Sequence, residues 1–257
     1  MTAPNPFDLH GHVSVVTGGG SGIGLGIAAG LARAGAAIAI IGRSEQRLQS
    51  AQERLRQFDT PVLTVAADVS DEQAISEAMN RIRVEMGGLD SCFANAGVGG
   101  GVTPLLDTTL AAFRAVTSVN LDGVFLTLRE AARQMVELGS GGSLVAISSL
   151  GARQGMPRQH AYSASKAGVT AIVNSLAVEL ARHGIRANTV QPGWISTEMV
   201  DTALDSDVFK NRVLPRVPLR RWGSPEDLAG VAVYLASPAS SYHTGDSLLV
   251  DGGYSRF

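Results

Sequence analysis

The chain alternates short runs of apolar residues with longer segments in which apolar positions recur every three or four residues. The short runs are apolar throughout, which is typical of parallel strands covered on both faces. Seven such strands are predicted, at residues 13–17, 37–41, 62–66, 91–94, 144–147, 187–190 and 248–250. The longer segments predict six helices, at residues 23–34, 45–57, 72–85, 110–137, 161–183 and 225–236. This alternation predicts an α/β fold, a single doubly wound parallel seven-stranded sheet with helices on both faces.

Composition narrows the class of protein. The chain has 257 residues, of which 45% are apolar and 17% charged, so a disordered chain is excluded. The net charge is −2, so the chain lacks the excess of basic residues that a nucleic-acid binder needs. No apolar run is long enough to span a membrane. The single cysteine, Cys92, excludes disulfides within the chain and is expected in the core. We therefore expect one cytoplasmic domain over residues 1–257, without a secretion signal.

One long stretch, residues 192–223, carries no predicted element. Loops of this length in a compact domain are usually functional, so we expect a lid over the substrate. We expect the substrate pocket to be lined by residues 97–105, by residues 150–159 and by the stretch after Thr197.

A glycine-rich segment, residues 17–24, lies between the first predicted strand and the first predicted helix. Glycines permit positive φ angles and let the backbone approach a pyrophosphate, which the N–H groups of a helix N-terminus then bind. The glycine spacing departs from the common dinucleotide fingerprint, and a flexible turn without a ligand is the alternative. The strand–loop–helix context favours a dinucleotide. The candidate cofactor-binding residues of this loop are Gly18, Ser21, Gly22, Ile23 and Gly24.

The end of the second predicted strand bears on the choice between NADP(H) and NAD(H). In dinucleotide-binding folds, a carboxylate about 20 residues beyond the glycine loop binds the ribose hydroxyls of NAD. Here no carboxylate is present, and Arg43 follows the strand at once. A guanidinium binds a 2′-phosphate by charge-assisted hydrogen bonds, although Arg43 could also be an exposed surface charge. We expect NADP(H) in preference to NAD(H), while Ser21 leaves the glycine loop without a second basic residue.

Four residues form a candidate catalytic set, namely Asn120, Ser149, Tyr162 and Lys166. Tyr162 and Lys166 are four apart, so a helix places both on one face. A nearby ammonium lowers the pKa of a tyrosine from about 10 toward the range of efficient acid–base catalysis. Ser149 ends the fifth strand, at the sheet edge where such folds bind ligands. Spacing alone favours a surface contact for the Tyr–Lys pair, and ordinary turn chemistry for Ser149 is equally possible.

Other chemistry is not supported by the sequence. Glu179 and His183 are four apart, but the chain has five histidines and no H-E-x-x-H motif, so we expect no metal site. Ile147 stands where a nucleophile elbow needs glycine, which excludes a serine hydrolase of that type. His160 lies two residues before the candidate tyrosine, and we expect it to start a helix rather than to act on substrate.

Taken together, these motifs resemble the short-chain dehydrogenase/reductase family, and the resemblance covers nearly the whole chain. The motifs in chain order are the 17–24 segment, Asp68-Val69, Asn95-Ala96-Gly97, Asn120, Ser149, Tyr162-x-x-x-Lys166, Pro192-Gly193-x-x-x-Thr197 and Val250-Asp251-Gly252-Gly253. Each motif is weak alone, but their joint occurrence in this order is very specific. The resemblance implies a Rossmann-like fold and an NAD(P)-dependent oxidoreductase.

The resemblance also implies a role for each residue of the motifs. Tyr162 would donate a proton to the carbonyl oxygen during reduction and remove it during oxidation. Lys166 would lower the pKa of that tyrosine and hold the nicotinamide ribose, and Ser149 would stabilise the substrate oxygen. Asn120 would anchor a water in the proton relay. The implied cofactor contacts are Asp68 at the adenine amino group, Asn95, Ala96 and Gly97 at the adenosine ribose, Ile195 and Thr197 at the carboxamide, and the motif neighbours Val69, Pro192 and Gly193.

Three functions stay open at this point. The first is an NADP(H)-dependent carbonyl reductase or secondary-alcohol dehydrogenase acting on a small molecule. The second is a 3-oxoacyl-[acyl-carrier-protein] reductase; residues 137–142 lack the Lys or Arg that would favour an acidic carrier, but Arg216, Arg220 and Arg221 keep it open. The third is a non-catalytic dinucleotide sensor, which the intact serine, tyrosine and lysine set disfavours. The resemblance further implies a homotetramer, assembled through the helices at 110–137 and 161–183 and the last strand.

Overall fold

A seven-stranded parallel sheet lies at the centre of the computed structural model, which describes residues 5–198 and 206–256. The strands are β1 (Val13–Thr17), β2 (Ala37–Gly42), β3 (Val62–Ala66), β4 (Ser91–Ala94), β5 (Gly142–Ile147), β6 (Ile185–Pro192) and β7 (Ser247–Val250). Their order in the sheet is β3-β2-β1-β4-β5-β6-β7, and every pair of neighbours is parallel. The predicted α/β fold is therefore confirmed.

Eight α-helices connect and flank the strands in the described part of the chain. They are α1 (Gly22–Arg33), α2 (Glu45–Leu55), α3 (Glu72–Met86), α4 (Leu110–Thr117), α5 (Gly123–Leu138), α6 (His160–Glu179), α7 (Asp207–Val213) and α8 (Ala229–Ala236). Three helices have an N-cap residue directly before their first residue, and its side-chain oxygen accepts a hydrogen bond from the third N–H of the helix. These N-caps are Ser44 for α2, Asp71 for α3 and Thr109 for α4. Local sequence chemistry thus fixes where α2, α3 and α4 start.

Apolar side chains cover both faces of the sheet. Ile82 of α3 and Leu128 of α5 belong to the core on one face. Leu31 of α1, Leu48 of α2 and Leu235 of α8 belong to the core on the other. Because the sheet is covered on both sides, its strands have no solvent-facing polar face, and all five residues of β1 are buried.

One predicted helix is in fact two helices. The sequence predicts a continuous helix over residues 110–137, whereas α4 and α5 are separated by a single π-helical turn, Ser118–Asp122. Within this turn, Asn120 Oδ1 accepts a hydrogen bond from the N–H of Val98 at 2.8 Å, and Asn120 Nδ2 donates to the Val98 carbonyl at 2.8 Å. The apolar periodicity continues through the turn, so the sequence pattern does not reveal it. Such turns are frequent at functional sites.

The stretch predicted as a lid contains regular structure in its described residues. Helix α7 and a 3₁₀ turn, Leu214–Arg216, follow β6, and residues 199–205 lie outside the described residues. Trp194 and Phe209 meet edge to face with ring centres 5.0 Å apart. Both pack on a small buried cluster that includes Leu150 and Tyr254, at the carboxyl end of the sheet. The segment is therefore anchored beside the predicted substrate region.

Candidate active site

The carboxyl ends of the central strands bring the predicted motifs together. The chain proceeds from β1 to one side of the sheet and from β4 to the other, which leaves a crevice between the loops that follow these strands. The glycine loop follows β1 and Asn95 follows β4, while Ser149 follows β5 and Gly193 follows β6. Residues that are far apart in the sequence thus share one sheet edge.

The glycine loop has the backbone shape that a pyrophosphate requires. Gly18 and Gly22 have φ angles of +67° and +50°, which favour glycine. A methyl group at Gly24 would collide with the carbonyl oxygen of Gly18. Ser21 precedes α1, but its side chain makes no capping hydrogen bond, so the first N–H groups of the helix, including that of Ile23, stay available to an anion. These residues fit the phosphates of a dinucleotide.

A hydrogen-bond network joins the loop after β4 to the end of β1. The buried hydroxyl of Thr17 accepts hydrogen bonds from the N–H groups of Asn95 and Ala96, both at 3.1 Å. Asn95 Nδ2 donates to the Thr17 carbonyl at 2.9 Å. A methyl group at Gly18 would lie 3.0 Å from Ala96 Cα. The side chain of Asn95 therefore holds the two walls of the crevice close together.

The loop after β6 forms the opposite wall. Pro192 ends β6, and a methyl group at Gly193 would lie 2.6 Å from the Cα atom of Asp251, so only glycine fits there. Ile195 is buried. A methyl group at Gly22 would lie 3.2 Å from Thr197 Cγ2. Thr197 thus faces the glycine loop across the crevice.

Charged residues surround the end of β2 and the end of β3. Arg43 Nη1 lies 3.7 Å from Asp68 Oδ2. Asp68 Oδ1 accepts hydrogen bonds from the N–H and the hydroxyl of Ser70, at 2.9 and 2.7 Å. The backbone hydrogen bond from Ser70 is the main cause that lowers the pKa of Asp68, with a further contribution from the charge of Arg43. The neighbouring Val69 is buried against Gly123 at the start of α5.

A second guanidinium, which sequence reasoning missed, lies at the same edge. Arg47 Nη2 and Glu198 Oε2 form an ion pair of 2.9 Å. A methyl group at Gly20 would lie 3.4 Å from Arg47 Cβ, so the arginine packs beside the glycine loop. The available signal was a second arginine four residues after Arg43, in the first turn of the helix predicted at 45–57.

The candidate catalytic residues converge around Gly97. Lys166 is buried, and its Nζ donates to the carbonyl of Ile147 at 2.8 Å. The same Nζ lies 5.8 Å from the centre of the Tyr162 ring. A methyl group at Gly97 would lie 3.2 Å from Asn120 Oδ1 and 3.6 Å from Lys166 Nζ. The structure thus brings the predicted tyrosine, lysine and asparagine together, with Lys166 Nζ close to both of the others.

Ser149 lies beside Tyr162. It precedes the 3₁₀ turn Leu150–Ala152, and its Oγ accepts a hydrogen bond from the Gly151 N–H at 3.1 Å. A methyl group at Gly151 would lie 3.4 Å from the Tyr162 ring. A hydrogen bond also links the Ser149 hydroxyl to the phenol. The two hydroxyls can thus both reach one oxygen atom of a substrate.

The pKa values of Tyr162 and Lys166 do not shift as the sequence predicts. Burial raises the pKa of the Tyr162 phenol, and the hydrogen bond with Ser149 opposes this rise. Burial lowers the pKa of Lys166 to about 8. The predicted lowering of the tyrosine pKa by the ammonium is therefore wrong for this structure, because burial of the phenol dominates.

A small cavity of about 40 Å³ has Tyr162 in its wall. Its walls include Gly99, Thr103, Arg158, His160 and Tyr162, which agrees with part of the predicted lining. His160 is the first residue of α6, as predicted, and its Nε2 contacts the hydroxyl of Thr108 at 2.9 Å. A substrate that enters this cavity would lie beside the Tyr162 phenol.

Residues 5–198 and 206–256 offer neither a metal site nor a membrane-spanning helix. Among them no group of three or more His, Cys, Asp or Glu side chains could hold a metal ion. No helix in these ranges has the length and apolar character needed to cross a membrane. Cys92 is buried in β4 as predicted, and its burial raises the pKa of the thiol to about 12. Such a thiol is inert at neutral pH.

Known proteins resemble this chain over nearly its whole length. A family model described as enoyl-(acyl carrier protein) reductase matches residues 18–255. The L-rhamnose 1-dehydrogenase (NAD(P)(+)) of Sphingomonas sp. (strain SKA58) is 38% identical, covering 95% of this chain and 96% of its own. A short-chain type dehydrogenase/reductase from Mycobacterium marinum has a TM-score of 0.92 at 38% identity, covering 97% of this chain and 98% of its own. A gluconate 5-dehydrogenase from Burkholderia cenocepacia J2315, in complex with NADP and tartrate, has a TM-score of 0.93 at 34% identity, covering 98% of each chain.

Proposed function

This chain belongs to the short-chain dehydrogenase/reductase family, and from that premise we propose which residues perform its chemistry, which cofactor it prefers and what it acts on. Its activity is the NAD(P)-dependent oxidoreduction of alcohol or carbonyl substrates. The observation that carries our assignment is that Lys166 Nζ lies between Asn120, across Gly97, and the ring of Tyr162. Tyr162 is the general acid and base of the reaction.

The remaining members of the set support the proton transfer at Tyr162. The phenol gives its proton to the carbonyl oxygen in reduction and takes it back in oxidation. Ser149 donates a hydrogen bond to the same oxygen and so stabilises the charge that develops there. Lys166, whose pKa of about 8 lies near neutral pH, supplies or accepts the proton behind the tyrosine. Asn120 holds the Val98 backbone and the water of this relay.

The crevice between the glycine loop and the loop after β6 would hold the dinucleotide. When bound, the nicotinamide supplies or accepts the hydride. We assign its phosphates to Gly18, Ser21, Gly22, Ile23 and Gly24. We assign the adenosine to Arg43, Asp68, Val69, Asn95, Ala96 and Gly97. We assign the nicotinamide riboside to Tyr162, Lys166, Pro192, Gly193, Ile195 and Thr197.

NADP(H) is the preferred cofactor in our proposal. The support is the exposed guanidinium of Arg43 at the end of β2, where a carboxylate would repel a 2′-phosphate. Arg43→Ala should raise the Michaelis constant for NADPH about tenfold and that for NADH by less than twofold. Arg54→Ala, a charge removed elsewhere on α2, serves as the control. Equal effects of Arg43→Ala on the two cofactors would defeat the assignment.

The substrate in our proposal is a small polar molecule with a secondary alcohol or a ketone. The side chains of Thr103, Arg158 and His160 in the wall of the cavity beside Tyr162 support this class. The relatives include proteins named for rhamnose and gluconate. A panel of aldoses, sugar acids, cyclic ketones and a 3-oxoacyl thioester on carrier protein, each with both cofactors, tests the proposal. Turnover of the thioester alone would instead identify a carrier-protein reductase. A protein that is inert on the whole panel would be a dinucleotide sensor.

We propose that the whole chain acts as one catalytic domain and that residues 192–223 form its lid. The contact of Trp194 and Phe209 with the cluster around Leu150 supports this, because Leu150 directly follows Ser149. A lid at this position would exclude water from the reacting groups.

A further inference from the structure

The ion pair between Arg47 and Glu198 connects two parts of the cofactor crevice. Arg47 lies in the first turn of α2, and Glu198 directly follows Thr197 in the loop after β6. Their side chains meet at 2.9 Å, with 60% of the arginine and 70% of the glutamate exposed. The pair thus bridges the start of α2 and the last described residue before position 199.

The position of Arg47 is fixed by two contacts near the glycine loop. Its N–H donates to the hydroxyl of Ser44 at 3.3 Å, which caps α2. Its Cβ packs beside Gly20, where any larger residue would meet the backbone of Arg47. Arg43 lies between β2 and α2, and Arg47 lies in the first turn of α2, so both arginines belong to the same βα connection. The glycine loop has Ser21 and no basic residue of its own, and Arg47 of α2 places a positive charge beside it.

Each of the two arginines holds an acidic group that a phosphate could displace. Arg43 lies 3.7 Å from Asp68, and Arg47 lies 2.9 Å from Glu198. Exposed ion pairs of this kind contribute little to stability. A phosphate monoester carries a charge of about −1.5 to −2 and three acceptor oxygens, so it competes well with one carboxylate for a guanidinium.

We propose that Arg47 is a second specificity residue for the 2′-phosphate of NADP(H), and that Glu198 competes with this phosphate for it. The proposal rests on the NADP(H) preference stated above. It adds a consequence that Arg43 alone does not give: NADP(H) separates Glu198 from α2, whereas NAD(H) leaves the ion pair intact. Binding of the 2′-phosphate therefore breaks the ion pair that joins Glu198, in the proposed lid, to α2.

The test measures dissociation constants of NADPH and NADH for four variants, Arg47→Gln, Glu198→Gln, the double variant and the control Arg54→Gln. Arg47→Gln should weaken NADPH about five- to tenfold and NADH less than twofold. Glu198→Gln should tighten NADPH about two- to fivefold, because it frees the guanidinium, and this gain should vanish in the double variant. Raising the salt to about 0.5 M should reduce the NADPH advantage less in Arg47→Gln than in the control Arg54→Gln, which a purely structural role of Arg47 would not produce.

The outcomes separate this proposal from the one it rests on. If Arg43→Ala, the variant proposed above, weakens NADPH but Arg47→Gln does not, the role of Arg47 is wrong and the NADP(H) preference stands. If neither arginine changes the ratio of the two constants, both proposals fail. If Glu198→Gln has the same effect with and without Arg47, the competition is wrong. Equal urea midpoints for all variants show that each chain is folded.

Discussion

At the scale of single residues, the most unusual group is the buried amine of Lys166. Burial disfavours the charged form, and this lowers the pKa of Lys166 from 10.5 to about 8. Its Nζ keeps a hydrogen bond to the carbonyl of Ile147. A charged amine in such a position reduces stability at neutral pH, so the fold retains it for a reason other than packing. Perturbed groups of this kind are typical of functional sites.

The lowered pKa of Lys166 predicts a pH dependence of stability. Between pH 8 and 10.5 the unfolded chain keeps a proton on this amine that the folded chain has lost, so the free energy of unfolding rises with pH. The raised pKa of Cys92 acts in the opposite direction above pH 9, which leaves pH 8 to 9 as the clean window. We expect a rise of about 1 kcal/mol across it, measured by urea denaturation.

Two variants isolate the contribution of Lys166 to that rise. Lys166→Met removes the amine and should remove the rise. Tyr162→Phe should keep it, because the raised pKa of the phenol leaves the tyrosine protonated in both states at pH 8 to 9. An equal slope in the wild type and in Lys166→Met would contradict the assigned pKa.

The sequence could predict which residues meet in the pocket, but not how they titrate. Tyr162 and Lys166 meet because four residues make about one helical turn, which is a local property. The pKa of the phenol depends on its burial and on the hydroxyl of Ser149, and both are set by the packing of α6 against β5 and the turn that follows it. No spacing rule contains that information.

At the scale of elements, the π-helical turn between α4 and α5 links the helix layer to the site. Asn120 in this turn is fully buried and holds both backbone groups of Val98, just beyond Gly97. The sequence predicts a single helix here because the apolar period is unbroken. The π-helical turn is held by the hydrogen bonds between Asn120 and Val98, which are 22 positions apart, and a local pattern does not encode such a contact.

Asn120→Leu should destabilise the fold and disturb the site together. The substitution leaves the N–H and the carbonyl of Val98 without partners in a partly buried place, which costs about 2–4 kcal/mol in the free energy of unfolding. Ser118→Ala, which removes only a local hydrogen bond in the same turn, is the control and should change it by less than about 0.5 kcal/mol. Urea denaturation measures both, and an Asn120→Leu protein as stable as the control would contradict the anchoring role.

Other elements differ in how far the sequence determines them. The strands are predictable because a sheet covered on both faces needs continuous apolar runs, and only their ends shift, as where β6 extends to Pro192. The α7 helix was not predicted, because its stability depends on Phe209 packing against Trp194 and Trp222. The pairing of Arg47 with Glu198 was missed for the same reason, since it joins distant loops.

At the scale of the whole molecule, exposed apolar side chains lie on the helices that the family resemblance assigns to assembly. Leu110 of α4, Phe125 of α5 and Val178 of α6 are 61%, 44% and 82% exposed. The edge strand β7 is half-buried at all four positions. These surfaces support our proposal of a homotetramer built on α4, α5, α6 and β7.

Light scattering should therefore give a mass about four times the 26.7 kDa of the chain. Val178→Asp places a charge on the proposed contact face and should lower this mass. Val84→Asp on α3, where valine is 73% exposed outside the proposed contacts, should leave the mass unchanged. A wild-type monomer would overturn the proposed assembly.

The central claim is that the Tyr162 phenol carries the proton of the reaction, and the Tyr162→Phe variant tests it most directly. Rapid mixing of NADPH-loaded protein with a ketone accepted by the wild type gives the rate of NADPH oxidation, and fluorescence titration gives the NADPH dissociation constant. The rate should fall about 10³-fold, within the range that general acid catalysis supplies, while the dissociation constant changes less than about twofold. Tyr242→Phe, at a fully exposed tyrosine, should behave as wild type. A Tyr162→Phe protein that keeps more than about a tenth of the wild-type rate would contradict the account.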